Sequence, residues 1–165
     1  MRAAASVDHA RLLAAQGSVD EALAALDALL ADDPDDVAAL LLQASLLLEL
    51  REGERALSAF ERAARAAPRS AEALSGLARG LHALGRDDEA LSVAEKARGL
   101  LGEGENFRYA APVYLTIVWC LREKRHFREA LAAAEEGLVR CPDAILAQWA
   151  SQVEEELAEA EKEEC

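Results

Sequence analysis

Metal ligation and nucleophilic attack need histidine and cysteine, and this chain of 165 residues has few of either. His9, His82 and His126 fall in three separated stretches, and Cys120, Cys141 and Cys165 form no C-x-x-C pair. Cys120, His126 and Cys141 come nearest to a cluster, but their intervals do not match a metal-ligand pattern. No glycine-rich phosphate loop follows a strand, and there is no nucleophile elbow and no H-E-x-x-H helix. Carboxylates are abundant, yet they fall on the polar faces of amphipathic segments. These residues predict no catalytic site, no metal and no cofactor, hence a non-enzymatic protein whose chemistry is recognition.

Charge narrows the class of partner. Thirty-one acidic against 18 basic residues give a formal net charge of −13. Phosphate contacts need a clustered basic surface, so a nucleic-acid partner is not expected. The longest uncharged run, Tyr109 to Leu121, is 13 residues and contains Pro112. That is too short to span a bilayer, so no membrane insertion is expected. The first residues reach Asp8 before any apolar run forms, which does not resemble a secretion signal. An odd number of cysteines without a paired pattern fits a reducing cytoplasm better than a disulfide framework.

The elements that must position any site follow a period. Gly85-Arg86-Asp87-Asp88-Glu89-Ala90-Leu91 recurs as Gly17-Ser18-Val19-Asp20-Glu21-Ala22-Leu23. Looser copies are Gly53-Glu54-Arg55-Ala56-Leu57 and His126-Phe127-Arg128-Glu129-Ala130-Leu131. Each reads as a tight turn followed by the first turn of a helix. Ala22, Ala56 and Ala90 are 34 residues apart, and Ala130 follows 40 later. A fixed period of this length is the signature of a helical repeat array. Ala, Leu, Glu and Arg dominate the composition and favour helix throughout. The spacing predicts repeats over about 3–34, 37–68, 71–102 and 111–142, forming one array. Ser18 and Glu21 have the spacing of a capping box, and Asp33 with Pro34 suits the start of the next helix. Leu40, Leu41, Leu42, Leu46, Leu47, Leu48 and Leu50 make a helix apolar on nearly every side, which should be central. Six residues within 102–109 interrupt the period and read as a loop. A last helix, about 143–161, carries a stripe of Leu146, Trp149, Val153, Leu157 and Ala160 and should cap the array. Glu159–Cys165 should fray.

These positions resemble the tetratricopeptide repeat (TPR) family. The small residue where the first helix of a repeat meets its partner is matched by Ala10, Ala44 and Ala78, with Val118 in the fourth repeat. The small residue early in the second helix is matched by Ala22, Ala56, Ala90 and Ala130. The bulky residue four further on is matched by Leu26 and Phe60, whereas Ala94 and Ala134 depart from it. Pro34, Pro68 and Pro142 match the closing proline, with Gly102 in its place before the insertion. Ser6, Leu40, Leu74 and Tyr114 stand where the family opens with Trp, and His9 and Gln43 where it usually has Leu. The resemblance implies an all-α fold, a right-handed α-solenoid of antiparallel helix pairs with about nine helices. It also implies a concave groove lined by the first helix of each pair. The groove places are Val7, Arg11, Leu41, Ser45, Leu48, Ser75, Arg79, His82, Leu115, Trp119 and Arg122. Chaperone-docking members hold a terminal carboxylate with Lys and Asn. Val7, Arg11, Leu42, Glu72 and Gly76 stand at those places, so that clamp is absent.

Trp and Arg are the residues most often decisive at interfaces. Trp119, with Leu115 one turn earlier, could anchor an apolar side chain of a partner. It could equally pack against Phe107 or Tyr109 of the insertion, or against the closing helix. Arg11, Arg79 and Arg122 could grip a partner's carboxylates, or pair with Glu49, Glu72 or Glu123. The expected function is a non-catalytic protein-interaction module or adaptor that holds a peptide or helix in its groove. The alternative is a small acidic cytoplasmic chaperone of the secretion type, keeping an apolar client segment soluble. A second copy of the chain could also occupy the groove.

Overall fold

The computed structural model describes residues 6–102 and 106–163, with residues 106 and 107 described by their backbone alone. Among the described residues the regular elements are all helical. They are α1 (Val7–Ala15), α2 (Val19–Asp32), α3 (Val37–Glu49), α4 (Gly53–Ala66), α5 (Ala71–Ala83), α6 (Asp87–Leu100), a short 3-10 turn (Asn106–Tyr109), α7 (Ala110–Glu123), α8 (Phe127–Arg140) and α9 (Ala144–Glu163). The chain divides into two compact units, Met1–Pro68 and Arg69–Cys165.

In the first unit α1 pairs with α2 and α3 with α4, and α3 also touches α1 and α2. The leucine-rich α3 is the centre expected of it, with Ala39, Leu40, Leu41, Ala44, Leu46 and Leu47 buried. Ala10, Ala22, Ala44 and Ala56 have no exposed surface. A methyl group at these points lets two helices close on each other, and anything larger would hold them apart. Gln43 stands where the family has Leu, and its amide donates to Asp27 on α2 at 2.7 Å.

The second unit is built around α7, which packs against α5, α6, α8 and α9. Tyr114, Val113, Ile117 and Val118 of α7 are fully covered. Gly137 of α8 faces this bulk. A Cβ placed there would lie 2.7 Å from both the Tyr114 ring and the Leu146 methyl of α9. Glycine inside a helix costs about 1 kcal/mol relative to alanine, so its presence here marks a contact that tolerates no side chain. Where the family opens with Trp, this repeat has Tyr114, and Gly137 makes room for it.

Each pair is joined by the same turn. Gly17, Arg51, Gly85 and Arg125 all have φ between 60° and 82°. The next residue donates its N–H five residues back, Ser18 to Leu13, Glu52 to Leu47, Arg86 to Leu81 and His126 to Leu121. This is the Schellman closure, in which a left-handed residue ties off the last free carbonyls. It corrects two expectations. The turn residue of the second repeat is Arg51, while Gly53 is already the first residue of α4. Ser18 makes no side-chain cap, and its own N–H donates to the Leu13 carbonyl rather than to the Glu21 carboxylate. The start of α3 differs as well. Asp36, not Asp33, caps it by accepting from the Ala39 N–H at 3.0 Å. Asp33 instead accepts from Asp35 within the turn.

Within the interruption of the period, Asn106–Tyr109 form a 3-10 turn that leads directly into α7. Tyr109 donates its hydroxyl to Glu72 of α5 at 2.7 Å. Residues 1–5, 103–105 and 164–165 lie outside the described residues, as does any contact expected of the Phe107 side chain. Asp143 caps α9 through the Leu146 N–H at 2.8 Å. The helix continues to Glu163 where fraying from Glu159 is expected. Arg128 holds Glu161 at 2.7 Å, which fastens that last stretch.

Candidate functional site

Three aromatic rings from three helices of the second unit stand in a row. His82 (α5) stacks on Trp119 (α7) with centroids 5.8 Å apart and 19° between planes. Trp119 meets Trp149 (α9) edge-on at 6.1 Å and 76°. All three are half-buried. The spacing is that of favourable aromatic pairs. The guanidinium of Arg122 lies 5.4 Å from the Trp149 centroid, a cation–π placement. The same group grips Glu156 of α9, with Nε at 2.9 Å and Nη2 at 2.8 Å. Glu156 is further held by the Gln152 amide at 3.1 Å. The hydrogen bonds from Arg122 hold the Glu156 carboxyl below the usual range, and Glu156 raises Arg122 in return. Arg122 also reaches Glu123 at 3.1 Å.

Behind the row lies a polar cluster. His82 Nδ1 is 2.6 Å from Asp87 Oδ1, and Cys120 Sγ is 3.9 Å from the same nitrogen. Burial and then the Asp87 carboxylate push the Cys120 thiol up to about 12, so the free group is an inert thiol rather than a nucleophile. Cys120 therefore neighbours His82 and Asp87 rather than His126 or Cys141. No sequence interval signals this, because the three residues come together only through the packing of α5, α6 and α7.

A second network crosses the opposite side of α7. The Tyr114 hydroxyl donates to Glu136 at 2.6 Å, and Arg98 reaches the same carboxylate at 3.1 Å. Burial, then Glu136, pushes the Tyr114 phenol up to about 12.

The remaining groove candidates fall as follows. In the first unit Arg11 is exposed and 4.0 Å from Asp8. Leu41 is 9% exposed, Ser45 donates to the Leu41 carbonyl at 2.9 Å, and Leu48 is half-buried. In the second unit Arg79 is half-buried, and Leu115 keeps only 9% of its surface. Leu115 thus serves the core more than any partner. The apolar stripe of the closing helix includes Trp149 but does not reveal its membership of the ring row. No repeat interval points to it, since Trp149 follows Trp119 by 30 residues rather than 34.

The sequence pattern of the tetratricopeptide repeat matches residues 7–68 and 41–105. The chain belongs to the tetratricopeptide repeat family, and its fold is an α-solenoid of antiparallel helix pairs. No curated protein matches it in sequence. Among solved structures it is similar to a thermophilic TPR protein of Thermus thermophilus, at 23% identity and a TM-score of 0.76, covering 89% of this chain and 78% of that one. PilF of Pseudomonas aeruginosa aligns at 17% identity and a TM-score of 0.78, over 93% and 68% of the two chains. YrrB, described as a TPR protein with an unusual peptide-binding site, aligns at 22% identity and a TM-score of 0.66, over 89% and 73%. The fold is one typical of protein-interaction modules. None of the described helices is long and apolar enough to cross a membrane.

Proposed function

We propose that this protein is a non-catalytic interaction module that acts in the cytoplasm and holds a peptide or helix of a partner against the row His82–Trp119–Trp149. The observation that carries the reading is the row itself. Three rings on three helices keep part of their surface, with Arg122 beside them. Such a surface offers apolar contact at low entropic cost, because the rings are already held in place by one another. An amphipathic helix laid across it would place apolar side chains at one-turn intervals along the row. Arg122 contributes by pinning α9, since its charge is engaged by Glu156, and not by seizing a partner carboxylate.

Affinity capture with the wild type, Trp119→Ala and Val139→Ala tests this. Val139 is 87% exposed and lies on α8, away from the row. A partner retained by wild type and Val139→Ala but lost by a helical, folded Trp119→Ala supports the proposal. Equal capture by all three contradicts it. Rescue of an insoluble client on co-expression would favour the chaperone reading instead, and capture of a second copy would favour self-association.

A further inference from the structure

We propose that His82, Asp87 and Cys120 form a binding site for one zinc-class divalent cation, placed between the α5–α6 turn and α7. The three ligand atoms, one nitrogen, one oxygen and one sulfur, lie within 4.8 Å of one another. This donor set suits a borderline-soft ion, since imidazole and thiolate select zinc over magnesium or calcium. Zinc bonds of about 2.0 Å to nitrogen and oxygen and about 2.3 Å to sulfur set the edges of a tetrahedral site at about 3.3 Å (N to O) and about 3.5 Å (N to S). The observed 2.6 Å and 3.9 Å bracket those edges. Small side-chain rotations would open the first and close the second, with no movement of a helix.

Charge points the same way. Asp87, Asp88 and a Cys120 thiolate supply three negative charges, and Lys124, which contacts Asp88, supplies one positive charge. A divalent ion brings the group to neutrality. Without it the Cys120 thiol keeps its proton, which the ion would displace from a site that is already assembled. The side chains of His82 and Asp87 are 24% and 21% exposed, which leaves a way in from solvent and a position for water as a fourth ligand. The site lies directly behind the ring row, because His82 is both ligand and stacking partner of Trp119. It does not depend on what the row binds.

The test is a titration of the reduced, metal-stripped full-length protein with cobalt(II), followed by displacement with zinc. The wild type should bind one equivalent and show a sulfur-to-cobalt charge-transfer band that zinc removes. Cys120→Ser should lose the band, while Cys141→Ser and Cys165→Ser should keep it. His82→Gln and Asp87→Asn leave the buried thiol in place, and each should weaken zinc binding by roughly tenfold or more, since loss of even a supporting partner of a ligand costs that much. Circular dichroism would establish that each variant is folded. No band in the wild type, a band that survives Cys120→Ser, or unchanged affinity in folded His82→Gln and Asp87→Asn would overturn the proposal.

Discussion

The two units use the same repeat differently. The first is held by alanine and leucine packing around α3, and bonds such as Gln43 to Asp27 and Arg62 to the Pro34 carbonyl lie at its exposed surface. The second adds bonds that link specific partners across helices. Tyr114 and Arg98 meet on Glu136, Arg122 meets Glu156, and His82 joins Asp87, Cys120 and Trp119. Periodic small residues suffice to stack helices. Individual long side chains are then free to build a surface with its own chemistry, and here that occurs where Tyr, Trp and Arg enter the register.

The contrast is sharpest where packing is tightest. Ala56→Trp in the first unit and Gly137→Ala in the second should each destabilise their unit by about 1–3 kcal/mol. The second effect would come from a single methyl group, because Tyr114 and Leu146 already fill its place. Gly99→Ala is the control, since nothing lies within 4 Å of a Cβ there, and it should stabilise by up to about 1 kcal/mol. Thermal melts of the three variants check this, and a Gly137→Ala that behaved like Gly99→Ala would break the contrast.

Removal of one hydroxyl separates packing from bonding. Tyr114→Phe keeps the ring and loses the bond to Glu136, which should cost about 1 kcal/mol by denaturant titration. The first unit has no tyrosine, so the change isolates a feature of the second.

Glu156→Gln should cost about 1 kcal/mol or less at neutral pH, because Arg122 and Glu156 are each about a quarter exposed and solvent screens them. A carboxyl held low by its partner adds stability that is present above the ordinary Glu range. That stability is lost as the pH falls through the lower folded value. Melts of wild type and variant should therefore differ at neutral pH and converge in acid.

The smallest effect concerns the turns. Arg51 adopts a left-handed conformation that glycine accepts freely at the equivalent Gly17 and Gly85. Arg51→Gly should stabilise the first unit by up to about 1 kcal/mol, the relief of strain outweighing the added freedom of the unfolded chain. A loss of stability would show that the Arg51 side chain matters more than its backbone.

What is legible in the sequence follows from the same contrast. Spacing alone places the helix pairs, the central α3 and the capping helix, because Ala22, Ala56, Ala90 and Ala130 report helix contact directly. It misplaces the second turn at Gly53, since glycine is the usual carrier of a positive φ and here Arg51 carries it. Register brings out Trp119, His82 and Arg122 as candidates. It does not show that they touch Trp149 and Glu156, because those contacts span 30 residues or more and depend on where α9 lies. The cluster of His82, Asp87 and Cys120 is invisible for the same reason.

Both tryptophans of the chain, Trp119 and Trp149, lie in the ring row, so in metal-free protein their emission reports on the proposed recognition surface. Fluorescence of the full-length protein should be recorded with and without the captured partner, together with quenching by acrylamide. A partner seated on the row should shift the emission and reduce quenching. Binding that leaves both unchanged would place the partner elsewhere and contradict the proposed role of the row.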